Sequence, residues 1–427
     1  MFLVFLGVLK MNAQEVLTLQ QAVSIALENN YDIKIKANQL KMDSTNVATG
    51  NAGMLPRLTA SVVDNNNRQN STQTRQDGTV NSLNNANNNN LNYGVALDWT
   101  IFDGFKMFAK YDQLKALQKF GEAQLKLELL TKVSQVNSIY YDLVQQQQQV
   151  AALDTTLTIS TQRLQLAQNR FSIGKASKLE VLNAQVDLNT DKVNISQKLL
   201  QYQNTKVALN QLLARKTAND FKVSSEIIVD KKLVLNELSE LAEKQNPQLT
   251  AQVISKQIAE LQLKQVKADR YPSVRVTTGY QFSDTQSSLG FVTQSATRGL
   301  NYGFGASLNI FDGFAQNRNE KTAKIEIENA TIALEQQQLN LHSQLTVAYQ
   351  TYLTYLDLME LEATNEAIAK QNLSITIAKF RIGTITTLEF RTAQLNEINA
   401  KVRYTAAQFQ AKLAEIKLKE LAGKLDL

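Results

Sequence analysis

Few residues in this chain could do covalent or acid–base chemistry. Of its 427 residues none is cysteine and only one, His342, is histidine. Without cysteine there is no disulfide, thiolate zinc site, cysteine nucleophile or lipidated N-terminal cysteine. Histidine ligands come in clusters, so His342, set among helix formers, reads as an ordinary helix residue. Phosphate-cradling, dinucleotide-binding and nucleophile-elbow motifs do not occur. No catalytic residue, cofactor or metal is expected. The 45 basic and 39 acidic residues leave a net charge of +6, but they are interleaved, as on solvated helix faces rather than on a nucleic-acid surface. What stands out is a pair of matching segments, Phe171-Ser-Ile-Gly174 and Phe380-Arg-Ile-Gly383, each followed by a leucine–glutamate pair ending in Glu180 or Glu389. Their residue types suit a tight helix–helix turn, whether its apolar neighbours pack locally or are presented to a partner. Glycine permits a tight turn between helices, and Phe171, Ile173, Phe380 and Ile382 offer apolar side chains beside it.

Those segments are one landmark of a duplication. Phe171 and Phe380 lie 380 − 171 = 209 residues apart, and Leu91-Asn-Tyr-Gly returns as Leu300-Asn-Tyr-Gly at 300 − 91 = 209. Upstream, Pro56 and Pro272 are 272 − 56 = 216 apart, so the copies differ by seven residues only between the proline and that motif. The reading is two tandem copies, residues 14–215 and 233–427, joined by a segment over 216–232. Each runs helix, strand, loop, strand, very long helix, tight turn, return helix. The opening helices are expected over Thr18–Gly50 and Val234–Arg270, each stopping short of a proline.

Strands are expected at about 57–64, 91–102, 273–282 and 300–311. In Leu91, Tyr93, Val95, Leu97, Trp99 and Ile101 every odd position is apolar, and Leu300, Tyr302, Phe304, Ala306, Leu308 and Ile310 repeat the alternation. Segments of about ten residues with one apolar face match membrane-barrel strands. A half-buried soluble sheet has the same period, but four aromatic-bearing strands in an otherwise helical chain favour the membrane. Asn65 to Asn90, dense in Asn, Ser, Thr and Gln, cannot pack a core and is expected as an exposed loop.

From Phe105 to Phe171 runs a stretch of about 67 residues, about 100 Å long as a helix. Apolar residues recur every seven: Leu129, Val136, Leu143, Val150 and Leu157, then Leu179, Val186, Val193, Leu200 and Val207, and again Leu388, Leu395, Val402, Phe409 and Ile416. A seven-residue period marks a coiled-coil seam. A return helix plus the opening helix of the second copy, about 75 residues end to end, would lie beside one long helix.

Residues 1–13 carry an apolar run, Phe2 to Leu9, and resemble a secretory signal without its basic start, with a cut after Ala13; a buried first strand is the other reading. No other apolar stretch approaches the ~20 residues of a membrane helix, so any crossing must be by a closed β-barrel. Two strands per copy give four per chain, while the smallest barrels have about eight, so oligomerisation is required.

With its duplicated layout, its strand–Phe-Asp-Gly–helix junctions (Ile101 to Phe105, Ile310 to Phe314) and its Phe-x-Ile-Gly … Leu-Glu … Ala-Gln turns, the chain resembles the TolC family of outer-membrane efflux proteins. The match covers nearly all of the chain after residue 13. The resemblance implies a mostly α fold with membrane β: a long coiled-coil α-helical barrel in the periplasm, and four strands per chain closing a twelve-stranded barrel in a homotrimer. It implies no enzyme but a passive duct of a tripartite efflux or type I secretion system, coupled through a periplasmic adaptor to an inner-membrane RND or ABC pump. Phe171, Ile173, Gly174, Phe380, Arg381, Ile382 and Gly383 would form the tips that meet the adaptor. Glu180 and Glu389 fall where the family carries acids at the closed end, so three chains would set up to six carboxylates around the pore. The family's next acid is Asn183 and Thr392 here, which weakens the expectation of a double ring and of strong cation selectivity. A periplasmic or secreted coiled-coil scaffold without a pore is the alternative function.

Overall fold

A computed structural model describes residues 16–224, 226–288 and 292–424; the expected signal segment over 1–13 lies outside them. In chain order the elements are β1 (Val16–Leu17), α1 (Leu19–Asn29), α2 (Tyr31–Asn46), β2 (Arg57–Thr74), β3 (Val80–Asp103), α3 (Lys106–Ser172), α4 (Lys178–Leu212), β4 (Lys222–Val223), α5 (Leu235–Gln245), α6 (Pro247–Ala268), β5 (Ser273–Ser287), β6 (Gln294–Ser307), α7 (Ala315–Ile382) and α8 (Thr387–Leu421). Two units emerge, one of Met1–Asn38, Ala123–Ala251 and Glu335–Leu427, the other of Gln39–Glu122 and Gln252–Leu334. Among the described residues no helix is long and apolar enough to cross a membrane.

The second unit holds an antiparallel sheet of order β2-β3-β5-β6. Its register gathers the alternating apolar residues on one face: Leu58 pairs with Leu97 and Ala60 with Val95, which faces Tyr280, itself opposite Leu300. Tyr93 stacks on Phe282 with ring centroids 4.8 Å apart. The other face carries Thr59, Ala96, Gly279 and Asn301 in one row and Ser61, Gly94, Gln281 and Gly299 in the next. From Val274 to Phe282 the strand rises about 27 Å. At the ~40° tilt of barrel strands this becomes about 20 Å, near the apolar band of membrane barrels.

The sheet also corrects a boundary. β2 and β3 continue far beyond the apolar rows, pairing Asn65 with Asn90, Asn66 with Asn89 and Asn67 with Asn88, so most of the stretch expected as a loop is a polar hairpin turning at 75–79. Low apolar content excludes a core but not a ladder, whose backbone groups satisfy each other in water. In the second copy β6 ends at Ser307 rather than 311. At both strand–helix junctions the motif aspartate caps the long helix: Asp103 Oδ1 accepts from Met107 N at 3.2 Å, and Asp312 Oδ2 from Gln316 N at 2.7 Å. Phe105 and Phe314 after them are left-handed, with φ of 69° and 63°.

The first unit is cored by Leu17, Val23, Val136, Leu143, Leu209, Leu213 and Phe221. Parallel β1 and β4 are stitched by Tyr140, whose hydroxyl donates to Leu17 O and accepts from Ser224 N. The opening helices, expected continuous, break at Asn30 and Asn246, which are 246 − 30 = 216 apart. Each asparagine does two jobs. Asn30 Oδ1 caps α2 through Asp32 N, while its Nδ2 donates to Leu212 O at the end of α4. Asn246 likewise caps α6 through Leu249 N and donates to Leu421 O at the end of α8. The end of each return helix therefore meets the break in the opening helix of its own copy, not that of the other copy, and the asparagine amide at the break ties the two together.

Both return helices close with the same left-handed cap: Arg215 N to Asn210 O in one, Lys424 N to Lys419 O in the other. The left-handed residue is Ala214 (φ 52°) in the first and Gly423 (φ 75°) in the second. A methyl at Gly423 would sit 2.6 Å from Gln245 O. Gly423→Ala is expected to cost at least about 2 kcal/mol, from left-handed strain plus the overlap. Ala214→Gly is expected to gain about half a kcal/mol, strain relief less the entropy of glycine in the unfolded chain. Thermal midpoints of the detergent-solubilised variants should move in opposite directions; movement in one direction for both would contradict this account.

The seven-residue series behave unequally. On α3, Val136 and Leu143 are fully buried. On α4, Leu179, Val186, Val193, Leu200 and Val207 are all exposed, so within one chain this series is not a seam. On α7 a further exposed series, Leu361, Ile368, Ile375 and Ile382, runs at the same interval.

Candidate functional site

The residues singled out by sequence sit on two helical turns, between α3 and α4 and between α7 and α8. Each closes with a paired-bond cap: Gly174 N to Phe171 O and Lys175 N to Arg170 O in the first, Gly383 N to Phe380 O and Thr384 N to Lys379 O in the second. Gly174 and Gly383 have φ of 75° and 79°, which a side chain would strain. Ile173 is 66% exposed and Ile382 75%, with Phe171 and Arg381 also exposed. Phe380, expected as a presented knob, is instead 5% exposed, its ring 4.7 Å from that of Phe390. The two turns adjoin, since a methyl at Gly383 would lie 3.2 Å from the Arg170 guanidinium.

Both glutamates occupy the third position of a return helix, where the first-turn N–H groups and the helix dipole favour a carboxylate. Ser177 caps α4 by accepting from Glu180 N at 3.3 Å. Thr386 caps α8 reciprocally, accepting from Glu389 N while its own N–H donates to Glu389 Oε2 at 2.7 Å. That backbone bond, joined by one from the Thr386 hydroxyl, holds the Glu389 carboxyl below its usual pKa. A depressed carboxyl stabilises at neutral pH and loses its contribution as pH falls through its lowered folded-state pKa. Glu180 is half-buried and lies 3.8 Å from Arg170, an ion pair beyond hydrogen-bond reach. Glu389 thus completes a capping box, while the Glu180 side chain makes no capping bond and faces the Arg170 guanidinium.

Next to the turns lies a buried polar network that the sequence reading passed over. Arg391 on α8 holds Asp191 on α4 with two bonds, 2.8 and 2.9 Å, and approaches Asp187 at 3.6 Å. Arg163 on α3 pairs with Asp187. Ser160 donates to Asp191, and Gln394 donates to Ser160 Oγ and to Thr156 O. Positions 209 away carry Ala400, Leu182, Asn396 and Asn372 in place of Asp191, Arg391, Asp187 and Arg163, so this network, built by α3 and α4 of the first copy and α8 of the second, is not repeated at the equivalent positions. Comparing the copies position by position would have exposed this one-sided cluster of charges. Among the described residues no group of histidine, aspartate and glutamate is placed to hold a metal.

Comparison with known proteins places this geometry. The chain matches the outer membrane efflux protein family over residues 22–215 and 238–424, nearly its whole described length. It is 22% identical to the outer membrane protein TolC of Escherichia coli over 362 residues, 80% of this chain and 71% of that one. Its fold superposes on the outer-membrane channel CmeC of Campylobacter jejuni with a TM-score of 0.78 at 17% identity, covering 95% and 85% of the two chains. The MtrE outer-membrane channel of Neisseria gonorrhoeae, in its open state, gives 0.75 at 16%, covering 95% and 89%. Duplicated copies, a sheet with one apolar face and two capped turns joining long helices are the local basis of that likeness, and the chain belongs to the outer membrane efflux protein family, whose members are outer-membrane channels.

Proposed function

We propose that three copies of this chain form a passive export duct that performs no chemistry, with twelve strands closing the barrel and the helices forming a periplasmic tube. The observation that carries this reading is the open four-stranded sheet. Among the described residues its outer strands β2 and β6 have unpaired edges while one face is apolar, and such a sheet can lie in lipid only when copies pair edge to edge. In this reading the exposed Phe171, Ile173, Arg381 and Ile382 around Gly174 and Gly383 dock a periplasmic adaptor, which links the duct to an RND or ABC pump in the inner membrane. Phe380 supports the second turn from within.

The test is purification in detergent followed by planar-bilayer recording. A trimer with discrete conductance is expected; a non-conducting monomer would overturn the duct. The pore-ring role of Glu180 and Glu389 is tested in the same bilayers. Because Glu180 is paired with Arg170, Glu389 should dominate, and Glu389→Gln is expected to alter conductance or cation block. Thr386→Val, which loosens the cap but keeps the carboxylate, should leave cation block in place. Equal conductance and equal block for Glu389→Gln and wild type would remove the ring.

A further inference from the structure

β6 stops at Ser307, and the segment after it, Leu308 to Phe311, forms no strand. Ile310 is 93% exposed and Phe311 74%. The counterpart 209 residues earlier, Trp99 to Phe102, belongs to β3 and lies against β5, Trp99 facing Val276 and Phe102 facing Val274. The second copy therefore has the same strand sequence but no neighbour on that side. The repeat itself says what the neighbour is. Shifting β2 by 216 residues and β3 by 209 turns the register of the β2–β3 hairpin into that of β5–β6. Arg57 opposite Asp98 becomes Ser273 opposite Ser307, Ala60 opposite Val95 becomes Val276 opposite Phe304, and Val62 opposite Tyr93 becomes Thr278 opposite Tyr302, each as observed. The two hairpins are one unit used twice, and the joint between them is β3 against β5. A ring that repeats one head-to-tail joint needs β6 to meet β2 of the next copy as β3 meets β5.

We propose that the seam between copies reproduces the β3–β5 register residue by residue, and that Leu308 to Phe311 becomes strand only when the next copy's β2 lies beside it; this rests on the trimeric duct proposed above. The same offsets place Ala306 opposite the next copy's Val62, Leu308 opposite its Ala60 and Phe311 opposite its Leu58. They also place Asp312 opposite the next copy's Arg57, where the template has Asp103 opposite Ser273. Apolar side chains thus meet apolar ones on the lipid face, and an exposed carboxylate meets an exposed guanidinium at the end of the ladder. Other registers lose this match. A one-residue slip turns Leu58, Ala60 and Val62 to the face opposite Leu308. A two-residue slip keeps the faces but separates Asp312 from Arg57. In one direction it sets Asp64 against Ala306, and in the other it sets Pro56, which has no N–H to give the ladder, against Phe311.

The test is paired cysteine substitution in the full chain, which has no cysteine of its own to compete. Directly opposite residues of an antiparallel ladder have Cα atoms about 4.5–5.5 Å apart, within disulfide reach, whereas diagonal neighbours two residues off lie about 7–8 Å apart, beyond it. Within one chain β2 and β6 are separated by two other strands, about 14 Å at ladder spacing, so a link can only join chains. Leu308→Cys with Ala60→Cys on the lipid face, and separately Asn309→Cys with Thr59→Cys on the other face, are expected to give covalent trimers on a denaturing gel after oxidation with copper phenanthroline. Reduction should return single chains. Leu308→Cys with Val62→Cys or with Leu58→Cys, each two residues out of line, should give about tenfold less linked product. If one aligned pair disturbs assembly, the other carries the test from the opposite face. A conducting trimer that links at the displaced pairs, or equally at all pairs, or at none, would overturn the register and leave the duct standing. Failure of the unmodified chain to form a trimer would instead overturn the duct itself.

Discussion

Replacing Asp191 with alanine is expected to cost about 3–5 kcal/mol in the local stability of the turn region, the largest single-site effect in the first unit. Asp191 is 3% exposed and receives both terminal nitrogens of Arg391 and the Ser160 hydroxyl. Truncation leaves a buried guanidinium with Gln394 Oε1, at 3.0 Å, and the more distant Asp187 carboxylate, at 3.6 Å, and strands a serine hydroxyl that Gln394 alone still contacts. About 3 kcal/mol corresponds to roughly 150-fold faster exchange of amides that open locally. Protection should fall around 187–195 and 388–395, and much less around Tyr140 and Leu209 in the core of the same unit. The double variant Asp191→Leu with Arg391→Met should recover part of the loss, since a buried ion pair can be replaced by apolar side chains at little net cost. Additive losses would mean that the two residues do not act as a pair, and unchanged exchange in Asp191→Ala would mean that the network holds nothing.

This network shows where sequence reasoning stops. Asp187 and Asp191 sit next to the α4 series of Leu179, Val186 and Val193, and charges beside an apolar stripe read as solvated. Their burial depends on α3 and α8 both lying against them, and no local pattern carries that information. The strands were legible because alternation survives wherever one face is apolar, and the register repeats it row by row. The hairpin through Asn65–Asn90 was not, because composition excludes a core without excluding a backbone ladder. Other signals were present but unread. Ser177-Lys-Leu-Glu180 and Thr386-Thr-Leu-Glu389 are capping-box sequences that announce helix starts. Asn246-Pro247 is a turn signal, and shifting it by the 216-residue offset points to Asn30 as the matching break. The burial of Phe380 follows from Phe390, one helical start further on, which has no aromatic counterpart in the first copy, where Val181 stands instead.

The seven-residue series lead to the second large effect. The period states that a stripe will be covered but not by what; α4 leaves its stripe bare and so does α7. A ring of three identical chains uses head-to-tail contacts, so each chain must offer two different faces rather than one self-complementary face. In the proposed trimer the exposed α4 and α7 stripes would supply two such faces. Burying Val193 and Leu200 is worth roughly 3–6 kcal/mol per interface at about 1.5–3 kcal/mol per side chain, before the added cost of desolvating a carboxylate. Val193→Asp combined with Leu200→Asp is therefore expected to abolish the trimer, giving monomer on native mass measurement in detergent and no conductance in bilayers. Ile368→Asp with Ile375→Asp on α7 should do the same, because removing either face opens the ring. The apolar pair Val193→Ile and Leu200→Met should assemble normally, which separates loss of burial from mere substitution. A stable trimer carrying aspartates on the α4 stripe would show that this face meets solvent in the assembled protein, and the neighbouring chains would then have to join through the strand edges alone.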